Sequence, residues 1–194
     1  MNLIKKPIFI TIEGVDGTGK STVAKLLASS IDAILISTPS QHLKEQRIAI
    51  ENSDIQSQKF DFYTKAIIEQ QAEIKFLLES SSIVCDRYIH STFAYQWPNT
   101  TDLPNKINDF FKEIRPPDYS FLLLADETIR TNRIKNREIE TDTINESDYR
   151  LENIKIANDR FLKMDDLIKI NTNINTPEEI SNIIREYIKN HQKI

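Results

Sequence analysis

Apolar positions along the chain follow two alternating periods. Short runs rich in Ile, Val, Leu and Phe fall at 7–13, 33–37, 82–86, 119–125 and 167–171. Their length and near-continuous apolar character fit strands buried on both faces. Between them, apolar residues recur at helical spacing over about 19–30, 55–80, 104–114, 126–138, 146–164 and 177–190. In the second of these, Tyr63, Ile67, Ile74, Leu77 and Leu78 form a core stripe. Thr176-Pro177-Glu178-Glu179 is a start signal for the last, with proline at the first helical position. The alternation predicts an α/β fold, a five-stranded parallel sheet with helices on both faces, in a single domain over 1–194. Ligands of such sheets sit at the carboxyl ends of the strands. The chemistry is therefore expected from residues 13–22, 37–40, 86–96 and about 126–142.

The first of those segments carries all three glycines of the chain, Gly14, Gly17 and Gly19. Average composition would give about a dozen glycines in a chain of this size. Gly14-Val15-Asp16-Gly17-Thr18-Gly19-Lys20-Ser21-Thr22 fits G-x-x-x-x-G-K-[ST], the phosphate-binding P-loop, between a strand and a helix. Backbone N–H groups wrap a polyphosphate only where no Cβ intrudes, and the helix N-terminus adds positive potential. Lys20 is placed to reach the β- and γ-phosphates, and the Ser21 hydroxyl to bind Mg²⁺. The expected architecture is thus the three-layer P-loop NTPase fold.

A formal net charge of −4 argues against coating nucleic acid. One cysteine, Cys85, allows no internal disulfide. No apolar run approaches the roughly 20 residues of a membrane span, and the first residues do not read as a signal peptide, so a cytoplasmic location is expected. His42, His90 and His191 show neither a paired base nor metal spacing in the sequence and receive no role.

The strand at 82–86 ends in Asp86-Arg87. An acid there suits Mg²⁺, and the planar fork of an arginine suits a second phosphate. A rival strand end at Asp126 lacks the arginine and reads as a helix N-cap. Asp86-Arg87-Tyr88-Ile89-His90-Ser91-Thr92-Phe93-Ala94-Tyr95-Gln96 resembles the DRY…S(S/T)xAYQ segment of thymidylate kinases, and Glu13 to Thr22 resembles their EGxDGxGKST loop. The resemblance implies transfer of the ATP γ-phosphate to a nucleoside monophosphate, dTMP first, and a homodimer. By position it assigns Asp16 to the acceptor's sugar hydroxyl, Arg87 to its phosphate, and Asp86 to magnesium and the attacking oxygen. Thr92, Tyr95 and Gln96 would line the acceptor pocket, with Phe62 stacking on the base. Two departures bear on the base. Ala66 stands where the family has a thymine-reading arginine, and Ser37-Thr38-Pro39-Ser40 replaces an Arg-Glu-Pro-Gly-type loop. That loop is more similar to a thymidylate-kinase-like branch acting on UMP and CMP. Arg47 is a further candidate for the acceptor phosphate.

Arg130, Arg133, Lys135 and Arg137 form a basic run on a predicted helix, with Arg130, Arg133 and Arg137 on one face. It reads as a small helical lid over about 130–146 that lays Arg133 and Arg137 over the ATP phosphates and shuts out water. The residues leave open a kinase of UMP, CMP or dUMP, a deoxynucleoside kinase, and an idle nucleotide-binding scaffold. Arg87 and Arg47 disfavour a nucleoside acceptor, which brings no phosphate to clamp. Thr64-Lys65-Ala66-Ile67 lacks the Asp of a GTPase base-reading motif.

Overall fold

The computed structural model describes residues 6–53, 55–98, 103–141 and 151–191. Five strands form one sheet in the order β2-β3-β1-β4-β5: β1 (Phe9–Glu13), β2 (Ile34–Ser37), β3 (Ile83–Asp86), β4 (Tyr119–Leu124) and β5 (Ile168–Asn171). Every pairing is parallel. The central position of β1 explains its apolar run. Ile8, Ile10 and Ile12 pack on one face with Val23 and Leu27 of α1 (Lys20–Ser30) and Ile184 and Ile188 of α9 (Pro177–His191). Phe9 packs on the other face, with Tyr88, Phe93 and Phe161. Period-2 alternation thus feeds two separate cores, and Thr11 and Glu13 share the face of Phe9.

That second face is covered by α3 (Gln56–Glu69), α5 (Ile89–Gln96) and α8 (Leu151–Leu162). The remaining helices are α2 (Lys44–Glu51), α4 (Gln71–Leu77), α6 (Leu103–Phe110) and α7 (Glu127–Thr141). The five strands and the parallel, two-faced sheet agree with the sequence expectation.

Three details differ. The helix expected over 55–80 breaks at Gln70, which ends α3 before α4 begins. Gln70 is buried; it accepts a hydrogen bond from Thr38 Oγ1 (3.0 Å) and donates to the Ser37 carbonyl (3.4 Å). A polar side chain drawn inward to the end of β2 marks the interruption. Secondly, α2 and α5 were not expected as helices. No residue of α2 is buried, so it lacks the apolar stripe that betrays a helix. α5 has the opposite character, with six of its residues buried. A helix buried nearly all round, polar His90, Ser91 and Thr92 included, shows no amphipathic period. Finally, the outer part of the expected lid and the start of the helix expected at 146 fall in 142–150, outside the described residues.

Candidate active site

The phosphate loop leaves the end of β1 with each glycine at positive φ: Gly14 at 141°, Gly17 at 84° and Gly19 at 93°. A Cβ on Gly14 would lie 2.5 Å from the Leu123 carbonyl oxygen of β4, so the loop crosses the neighbouring strand where only glycine fits. A Cβ on Gly17 would lie 2.4 Å from Arg130 Cγ and 2.6 Å from the Arg130 carbonyl oxygen. Thr18 closes the loop by donating its hydroxyl to the Val15 carbonyl at 2.8 Å.

Lys20, the first residue of α1, is buried; its ammonium donates to the Val15 carbonyl (2.8 Å) and lies 3.8 Å from Asp16 Oδ1. Burial, followed by the charge of Arg87, lowers the Lys20 pKa to about 8. Ser21 and Thr22 are exposed on the first turn of α1.

Asp16 and Arg87 meet in a direct ion pair between Oδ1 and Nη2. Arg87 holds left-handed backbone, φ 70°, immediately after β3. Its N–H donates to the Ile12 carbonyl (3.1 Å) and its Nη1 to the Gly14 carbonyl (3.4 Å). The guanidinium carbon lies 5.4 Å from the Tyr95 ring centroid, and the Tyr95 hydroxyl donates to Asp16 Oδ2 at 3.3 Å. Burial alone would raise the Asp16 pKa, but Arg87 and Lys20 outweigh it and bring it down to about 2. Burial likewise opposes the Arg87 charge, and Asp16 overrides it, so the Arg87 pKa moves up. Both groups are charged at any working pH.

This pair opens onto a cavity of about 530 Å³. Thr92, Tyr95 and Gln96 of α5 line it, together with Arg47 of α2. Phe62 does not line it. Its ring meets Tyr63 edge-on (centroids 5.2 Å apart, interplanar angle 79°), and Tyr63 faces the cavity instead. Ala66 is also off the wall and buried, and Lys65 is exposed. Four residues of α2 line the cavity, Lys44, Arg47, Ile48 and Glu51, and their spacing of three and four puts them on one helix face. The Tyr63 hydroxyl donates to Glu51 Oε1, and burial pushes its pKa up. Lys44, Ile48, Glu51 and Tyr63 were not expected on this wall; for the α2 residues the signal available was their spacing of three and four.

At the end of β3, Asp86 Oδ1 is buried with no hydrogen-bond partner among the described residues. An orphaned carboxylate oxygen beside a phosphate loop suits a hydrated cation, and Asp86 with the Ser21 hydroxyl fits Mg²⁺ as a donor set. Among the described residues no group of three or more His, Cys, Asp and Glu forms a cage.

The arginines of α7 divide into two kinds. Arg130 is buried, and its Nη1 donates to the Asp16 carbonyl at 3.0 Å. Arg133 donates to the Thr172 carbonyl (2.6 Å), to Thr172 Oγ1 (2.9 Å) and to the Thr18 carbonyl (3.5 Å). Both hold the back of the phosphate loop rather than hanging over it. Arg137 acts electrostatically on Asp16. Sequence spacing alone could not separate these roles, because all three share a helix face.

A cluster missed by the sequence reading lies behind the loop. His90 of α5 places Nε2 2.8 Å from Asp166 Oδ2, in the turn between α8 and β5, and Nδ1 3.6 Å from Glu13 Oε1. Ser91 donates to Glu13 Oε2 at 2.5 Å. The three groups come from distant segments, so no local spacing signals them.

A profile of the thymidylate kinase family matches residues 12–186. A probable thymidylate kinase of Methanocaldococcus jannaschii is 32% identical over 194 aligned positions, which cover 94% of this chain and 96% of the relative. A thymidylate kinase of Mycoplasmoides gallisepticum is 28% identical, covering 97% of this chain and 99% of its own. Among solved structures, the thymidylate kinase of Candida albicans superposes with a TM-score of 0.77 at 19% identity, over 96% of this chain and 93% of that one, a likeness of fold. The matched residues span the phosphate loop, Lys20 and Arg87 at the end of β3. The chain belongs to the thymidylate kinase family of ATP-dependent nucleoside monophosphate kinases.

Proposed function

We propose that the chain phosphorylates dTMP: dTMP + ATP gives dTDP + ADP. The observation that carries this reading is Asp16, which faces Lys20 on the donor side and Arg87 and Tyr95 on the acceptor side. One carboxylate thus stands between a site for a transferred phosphate and a cavity of about 530 Å³, large enough for a nucleotide.

In the proposed reaction the backbone N–H groups of residues 14–19 and the Lys20 ammonium hold the donor phosphates. Lys20 exchanges its contact with the Val15 carbonyl for phosphate oxygens. Arg87 and Arg47 clamp the acceptor's phosphate, and Arg87 is freed from Asp16 as it does so. Asp16 then accepts a hydrogen bond from the sugar hydroxyl. Thr92, Tyr95 and Gln96 orient the nucleoside. Mg²⁺, held by Ser21 and Asp86, supplies neutralisation of the phosphate charge when bound. Arg137 contributes positive charge from α7, and Arg133 acts by fixing Thr18 and Thr172. Catalysis by these groups is positioning and electrostatic stabilisation.

The family assignment also supports a homodimer, with the exposed Ile68 and Phe76 of α3 and α4 as candidate contact residues. No helix among the described residues is long and apolar enough to cross a membrane, and a cytoplasmic location is part of the same proposal.

One observation favours a broader acceptor range. The cavity wall carries Tyr63, Glu51 and Arg47, whereas position 66 is a buried alanine. A site without an arginine dedicated to the thymine carbonyl discriminates weakly between pyrimidines. Coupled assays with ATP, Mg²⁺ and each of dTMP, dUMP, UMP, CMP and thymidine test both statements. The proposal requires turnover of dTMP and none of thymidine.

A further inference from the structure

His90 is wholly buried and has no part in the reaction as drawn above. Its Nε2 contact with Asp166 requires a proton on Nε2, because a carboxylate only accepts. That leaves Nδ1 facing Glu13 Oε1 across 3.6 Å, and neither atom has a hydrogen-bond partner among the described residues. A neutral ring would set a lone pair against a carboxylate oxygen in a dry site. A proton on Nδ1 converts that opposition into an ion pair. The charged groups facing the ring are Glu13 from β1 and Asp166 from the α8–β5 turn, and the Phe111 ring lies 5.7 Å away, centroid to centroid. Burial disfavours the charged ring, but the two carboxylates more than offset it and take the pKa up to about 9.

The three elements joined in this way are those that the transfer must align. Glu13 is the residue before Gly14 of the phosphate loop. It is held by two successive residues of α5, His90 and Ser91. The same helix carries Thr92, Tyr95 and Gln96 into the acceptor cavity. Asp166 follows α8, which packs on α5.

We propose that His90 is a positioning residue for phosphoryl transfer: as an imidazolium between Glu13 and Asp166 it locks the acceptor helix to the phosphate loop. The inference rests on the proposed function, since positioning has meaning only for a transfer between two nucleotides. Its consequence is an alkaline limit. The lock is complete at neutral pH and is lost as pH rises through the His90 pKa.

Asp166→Asn is the informative variant. Asp166 is 47% exposed, so the change is tolerated, and the amide oxygen still accepts from Nε2 while the charge is gone. The experiment measures kcat/KM for dTMP against pH at saturating ATP, whose phosphates keep Lys20 charged. His90 is followed in parallel by its imidazole NMR signals. The expected result is a downward move of the His90 titration by about one pH unit or more, with the alkaline limb of kcat/KM moving alongside it. His90→Gln should lower kcat/KM for dTMP about tenfold and remove that limb. If His90→Gln does not fold, Asp166→Asn still decides the question. A limb unmoved in Asp166→Asn while the His90 signals shift would overturn the role of His90 and leave the proposed function standing. A wild-type chain that phosphorylates no nucleoside monophosphate would count against the proposed function itself.

Discussion

The Asp16 carboxylate and the Arg87 guanidinium, 71 positions apart in the chain, form a direct ion pair across the seam between the phosphate loop and the end of β3. Arg87 reaches it from left-handed backbone. Non-glycine residues there cost of order 1–3 kcal/mol, and such strain concentrates at functional sites. The strain is offset by the Arg87 N–H bond to Ile12 and the guanidinium bond to Gly14. The pair therefore holds an arginine at the mouth of the cavity, and in the proposed reaction an incoming phosphate replaces Asp16 as its partner.

Arg87→Ala is expected to raise the KM for dTMP by at least thirtyfold and to leave the KM for ATP nearly unchanged. Losing a charge-assisted contact of this kind costs about 2–5 kcal/mol. Arg87→Lys should recover only part of the loss, because a point charge does not replace the planar fork. Steady-state kinetics with each substrate varied in turn check this. Normal dTMP affinity with weakened ATP affinity would show that the two phosphate sites have been exchanged.

Lys20 sets a pH dependence. Its pKa in the free protein is lowered to about 8, by burial first and by Arg87 second. Only the charged amine holds phosphate, so kcat/KM for ATP should be level below about pH 8 and fall above it. Arg87→Ala removes one lowering cause and should move that limb to higher pH. Lys20→Ala should abolish transfer while the thermal unfolding midpoint stays near that of wild type. Turnover above a tenth of wild type in Lys20→Ala would remove the loop lysine from the chemistry.

Gly17 and Arg130 occupy one space. A Cβ at Gly17 would overlap Arg130 Cγ, and its φ of 84° is unfavourable for a side chain. Gly17→Ala should therefore lower stability by about 1–3 kcal/mol. Gly17→Arg should damage the protein rather than supply a catalytic charge from the loop. The double variant Gly17→Ala/Arg130→Ala should lose less than the sum of the two single changes, and denaturant unfolding of all four proteins measures that coupling. Strict additivity would mean that the loop yields elsewhere.

The sheet and the phosphate loop were legible in the sequence because they rest on local signals: apolar runs for strands buried on two faces, and three glycines in one short window, Gly14 where the backbone crosses Leu123. Asp86-Arg87 was legible because a charged pair ended such a run. The cavity wall was less so. α2 buries nothing in the chain itself, so only its contribution of Lys44, Arg47 and Glu51 to the cavity reveals its use. Phe62 and Tyr63 are adjacent aromatics, and about 100° of helix rotation separates them; the sequence could not choose which one faces the cavity. The arginines of α7 share a face by spacing but differ in partners, Arg130 with the Asp16 carbonyl and Arg133 with Thr172. The Glu13–His90–Asp166 cluster is purely tertiary, and nothing in the spacing of its members points to it.

The most direct test of the account is the rate of dTDP formation from dTMP and ATP with Mg²⁺, measured beside dUMP, UMP, CMP and thymidine. The account predicts that dTMP is turned over, that its kcat/KM exceeds that for UMP by less than about 10⁴, because position 66 is a buried alanine off the cavity wall, and that thymidine is not a substrate. Phosphorylation of thymidine without phosphorylation of dTMP, or no transfer to any monophosphate, would contradict it.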